Sequence, residues 1–91
     1  MIEIENINSK VLTSCNFDDF YCKLNFEEII YIRDYLYPGL FKDNQKNKNI
    51  DRMICCEYIT KIFKDMIDNP ATTVDDFNRL CAVYTSAIFH K

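Results

Sequence analysis

Five cysteines, one histidine and fourteen carboxylates are the residues of this 91-residue chain whose types could do chemistry. Zinc binding by thiolates needs closely spaced pairs that aim two sulfurs at one ion. The cysteines fall at 15, 22, 55, 56 and 81, and no C-x2-4-C pair is among them. An odd number with an adjacent pair does not build a disulfide framework either, so Cys15, Cys22, Cys55, Cys56 and Cys81 read as small, reduced core residues. A cysteine nucleophile needs a histidine partner. His90 is the sole histidine, and beside Lys91 it suits a helix C-terminus better than a catalytic dyad. The acidic pairs Asp18-Asp19 and Asp75-Asp76 open predicted helices, where carboxylates cap and complement the dipole. The expectation is a protein with no enzymatic activity, no metal and no cofactor.

The stretch DNQKNKNIDRMI, residues 43–54, distantly resembles the calcium loop of an EF-hand. Asp43, Gln45 and Asn47 stand at the first three oxygen-ligand positions, Ile50 at the apolar one and Asp51 at the ninth. Lys48 replaces the glycine of the sharp turn and Ile54 replaces the closing glutamate, so the resemblance implies a calcium-free relic. It implies a light-chain-like adaptor that grips a partner helix in a groove lined by Ile59, Phe63 and Met66. The same loop gathers Lys42, Lys46, Lys48 and Arg52. A third reading makes these four a contact for nucleic acid or nucleotide phosphates.

The segment FEEIIYIRDYLYPG, residues 26–39, carries the richest surface chemistry. On a helical wheel Phe26, Ile29, Ile30, Leu36 and Tyr37 share a face with Arg33 near its middle. An arginine in an apolar stripe snorkels, stacks or pairs, and Asp18 and Asp19 are its candidate partners. Tyr31 and Tyr35 point the opposite way, beside Glu27, Glu28 and Asp34. Tyrosine is enriched at interfaces, so this acidic face is the candidate site for binding a basic protein surface.

The elements that must position these residues follow from caps and periodicity. One glycine and two prolines leave few of the positive-φ positions that hairpins need, which favours an all-α fold. Residues 1–9 alternate Ile2 and Ile4 with acids and read as a short extended N-terminal arm. Asn16 caps a helix over about 16–24. Asn25 with Glu28 forms a capping box for a helix over 26–37, stopped by Pro38-Gly39. A polar loop leads to the longest helix, about 50–68, with Cys55, Ile59, Ile62 and Met66 as its stripe. Asn69-Pro70 breaks it, and Thr73 with Asp76 opens a last helix, 73–89, with Val74, Phe77, Cys81, Tyr84 and Ile88 in 3-4-3-4 spacing. The expected architecture is a single domain, a small four-helix antiparallel bundle with an extended arm.

A net charge of −3 provides no electrostatic footprint for a phosphate backbone, so nucleic acid is an unlikely main partner. No apolar run is long enough for a membrane span and no leader pattern opens the chain. The expected location is cytoplasmic and reducing. Twelve isoleucines, nine asparagines and eight lysines against three alanines match AT-rich codons, as in phages or large DNA viruses. These features lead to one expectation: a small acidic module that binds a larger protein, as a viral inhibitor of a host or defence protein would, with homo-oligomerisation open.

Overall fold

The computed structural model describes residues 3–41 and 45–89. Ile2, Lys42, Asp43 and His90, which entered the sequence reading, lie outside the described residues. The fold is all-helical, with five helices rather than four among the described residues: α1 Ile4–Leu12, α2 Phe17–Lys23, α3 Phe26–Leu36, α4 Lys48–Ile67 and α5 Val74–Ile88.

The N-terminal arm is the main correction. Residues 4–12 form α1, because Ile7 and Val11 lie one turn apart on one face and both are fully buried. The alternation of Ile2 with Ile4 covers too few residues to outweigh that pair. No side chain caps α1 at Glu3, so tertiary burial holds this helix. It packs on α5 and α2, and Tyr58 of α4 donates to Asn8 Oδ1 at 2.9 Å.

The other helices begin where cap chemistry places them. Asn16 accepts from the Asp19 amide at 2.8 Å, and the Asp19 carboxylate accepts from the Cys15 amide, which holds its pKa below the usual value. Both predicted capping boxes form, Asn25 with Glu28 and Thr73 with Asp76. Helix α4 starts at Lys48 rather than near Ile50, because the Asn47 side chain accepts from the Ile50 amide. After α3, Gly39 takes a φ of +72°, a left-handed value that reverses the chain cheaply only without a Cβ.

Helix α5 is the hub, packed against α4, α2 and α1, while α4 connects it to α3. Phe63 stacks on Phe77 at 6.1 Å near one end of the pair, and Cys56 shares a groove with Ala87 near the other, so α4 and α5 run antiparallel. Phe17, Phe20, Leu24, Ile32, Ile59, Leu80 and Val83 fill the centre. The Cα trace spans 37 × 32 × 18 Å, a slab about two helix layers thick.

The predicted α4 stripe is buried throughout, at Cys55, Ile59, Ile62 and Met66. The α5 stripe is not. Leu80, Val83 and Ala87 face the core, whereas Val74, Cys81 and Ile88 are exposed. Cys15 and Cys22 are exposed as well, so Cys55 is the one cysteine fully in the core, with Cys56 half-buried. Burial pushes both of those thiols above their ordinary pKa.

Candidate functional site

Helix α3 carries an outward ridge of Glu27, Tyr31, Asp34 and Tyr35, one helical turn or two apart. The Tyr31 and Tyr35 rings stack with centroids 6.2 Å apart, and Tyr35 also meets the buried Tyr58 edge-on at 6.2 Å. Tyr35 is 50% exposed, Tyr31 half-buried against the core, and Glu27 and Asp34 are exposed. Three interlocked rings fix the orientation of the outer one. A rigid aromatic surface loses little side-chain entropy on contact.

Glu28 does not belong to this ridge. It is 3% exposed, pairs with Lys10 of α1 and accepts from the Asn25 amide at 3.0 Å. Its role is to cap α3 and tie α1 to it. The wheel placed Glu28 beside the tyrosines, but α1, read as an arm, covers it.

Behind the ridge lies a polar cluster that sequence reasoning located only in part. Arg33 is buried, as its apolar neighbours indicated, yet its partner is Asp51 of α4 rather than Asp18 or Asp19. Arg33 Nε donates to Asp51 Oδ1 at 2.8 Å and Nη2 to Oδ2 at 3.0 Å, a bidentate fork. Asp51 Oδ2 also accepts from the Tyr21 hydroxyl at 2.6 Å and from the Asn47 amide N–H at 3.2 Å. Arg33 Nη2 also donates to the Gln45 carbonyl, so the cluster anchors the α3–α4 connection. Burial, then the bond to Asp51, push the Tyr21 hydroxyl pKa above its ordinary value. A lone Asp in a helix start gives no sequence signal of a partner 18 residues away.

The described basic residues of the loop are engaged locally. Lys46 sits over the Tyr21 ring at 5.0 Å and donates to the Leu24 carbonyl, Lys48 pairs with Asp18 at 2.7 Å, and the Arg52 guanidinium lies over Phe17 at 5.5 Å. They brace α2 against α4 and form no continuous basic face. The EF-hand reading loses its ninth-position oxygen ligand, since Asp51 is consumed by Arg33 and Tyr21. Its groove is filled too: Ile59 and Met66 are buried and Phe63 is stacked on Phe77.

Fold and site together define a small all-helical domain with a braced aromatic, acidic ridge. Comparison with known proteins finds no match: no family model, no curated protein and no solved structure aligns significantly with the chain. No helix among the described residues is long and apolar enough to cross a membrane.

Proposed function

We propose that the chain is a non-enzymatic protein-binding module that covers a basic surface of a larger protein with its α3 ridge. Its α2–α5 helices, read as the expected four-helix antiparallel bundle with α1 added, serve as scaffold. The observation that carries this reading is the Tyr31–Tyr35–Tyr58 ring stack, which presents the half-exposed Tyr35 in one orientation on a ridge that also carries exposed Glu27 and Asp34. An arginine or lysine of the partner finds there a π-face and two carboxylates. The negative ridge steers the encounter, and the desolvated rings supply the affinity. The setting we infer is occlusion of a host or defence protein in a cytoplasmic, reducing environment by a product of an AT-rich phage or viral genome.

The test is affinity capture from host extract with the wild-type chain, identification of the partner by mass spectrometry, and calorimetry with the purified partner. Tyr35→Ala should weaken binding by about 2 kcal/mol, roughly thirtyfold. Glu27→Lys with Asp34→Lys, on exposed positions that leave the core intact, should slow association and remove its salt dependence. Unchanged affinity in both variants overturns the assignment.

A further inference from the structure

One side-chain polar atom among the described residues is buried without a hydrogen-bond partner, Nε of Arg52 on α4. A buried donor that lacks an acceptor is costly, and in a folded protein it calls for an explanation. The rest of the guanidinium is held loosely. Nη1 makes a long 3.5 Å contact with Asn49 Oδ1 one turn away, and the group lies over the Phe17 ring at 5.5 Å, a face that attracts the charge without supplying an in-plane acceptor. No carboxylate among the described residues pairs with Arg52. Arg33 shows the satisfied arrangement in the same molecule, with Nε and Nη2 both donating to Asp51.

Arg52 also lines a groove of about 470 Å³ between α4 and α5, together with Asn49 and the apolar side chains Met53, Cys56, Ala87 and Ile88. Small-molecule sites have this build, apolar walls with a few polar groups that fix the orientation of the ligand. Glu57 is the acid of the groove, and both of its carboxylate oxygens are occupied by the Tyr37 hydroxyl, at 2.6 and 2.5 Å.

We propose that this groove binds a small amphipathic monocarboxylate, whose head forks onto the Arg52 guanidinium and whose aliphatic tail lies along Met53, Ala87 and Ile88. Each part of the ligand answers a feature of the wall. A planar carboxylate matches two parallel N–H groups of a guanidinium, as Asp51 does on Arg33, and it supplies the acceptor that Nε lacks. Asn49 uses its Oδ1 on Arg52, which leaves the amide N–H groups for a third bond to the head. Glu57 sets the charge: a second negative charge on the head, as on a phosphate monoester, would stand against this carboxylate in the same groove. A cationic head would meet Arg52 and find the one acid already taken by Tyr37. The tail gains by leaving water for apolar walls.

The groove shares no residue with the α3 ridge, so the two proposals stand or fall separately. Calorimetry of the full chain with octanoate should show a single site with a Kd below about 1 mM. Butyrate, which lacks the tail, and octylammonium, which reverses the charge, should each bind at least about tenfold more weakly. Arg52→Gln removes the charge and the fork, and Met53→Glu puts a carboxylate on a wall position that is 71% exposed and free to accept it. Each should weaken octanoate binding at least about tenfold, whereas Lys64→Gln and Tyr35→Ala, outside the groove, should leave it unchanged. Bound octanoate should also slow the reaction of Cys56 with an aromatic disulfide reagent and leave that of the exposed Cys81 as it was. The proposal is overturned by a chain that does not bind octanoate, by octylammonium that binds as well, or by an affinity that survives both Arg52→Gln and Met53→Glu in variants that circular dichroism shows folded.

Discussion

Replacing Asp51 with alanine removes the acceptor for four donors at once: two from Arg33, one from Tyr21 and one from the Asn47 amide. The bonds cannot simply be added, since the desolvation of both ions opposes them. What the variant leaves behind decides the magnitude. Arg33, 3% exposed, becomes a buried guanidinium without its carboxylate, and removal of one partner of a buried pair typically destabilises by about 3–5 kcal/mol. A chain of this length has roughly 5–14 kcal/mol in total, so Asp51→Ala should take away about a fifth of it or more. The melting temperature should fall by about 15–30 °C. Urea unfolding followed by circular dichroism measures the change in midpoint directly. The double variant Arg33→Met with Asp51→Leu fills the same space without charge and should recover most of the loss. A single variant that loses less than about 1 kcal/mol, or a double variant no better than the single, refutes the account of this cluster as a desolvated pair.

Two further outcomes test the fold and its surface. Ile7→Ala empties a fully buried site on α1 and should destabilise the domain by about 2–5 kcal/mol in the same urea assay, whereas a peripheral extended arm would tolerate the change. In native buffer, Cys15, Cys22 and Cys81 should react rapidly with an aromatic disulfide reagent, Cys56 slowly and Cys55 only on unfolding, because burial withholds the thiolate of the last two. Peptide mapping of the labelled sites distinguishes this order from uniform reactivity.

Local chemistry made much of the fold legible. Asn16, Asn25 and Thr73 mark helix starts through hydrogen bonds that reach only three residues, and all three bonds are present. The α4 stripe was readable because Cys55, Ile59, Ile62 and Met66 recur at a regular 4-3-4 spacing. Two failures have one physical origin, a segment whose own pattern is ambiguous. In α1 the alternation of Ile2 and Ile4 competed with the Ile7–Val11 pair, a signal available in the sequence once the window extends past residue 9. In α5 the stripe of Phe77, Cys81, Tyr84 and Ile88 competes with that of Leu80, Val83 and Ala87. Both have helical spacing, and only packing against α1, α2 and α4 chooses between them. The site was legible to the same depth. Tyr31, Tyr35, Glu27 and Asp34 share a ridge as the wheel requires, because a wheel uses one helix alone. Glu28 and Arg33 were misassigned because their partners, Lys10 and Asp51, come from other helices.

The Tyr21–Arg33–Asp51 cluster also bears on descent. A buried fork tolerates loss of all its charged members together far better than loss of one, so selection acts on the set. Diverging copies of this gene should therefore retain tyrosine, arginine and aspartate jointly or exchange the ionic pair jointly for apolar residues, while exposed positions such as Glu27 and Asp34 change freely. The triplet and its spacing would then identify distant kin whose remaining sequence has changed beyond alignment.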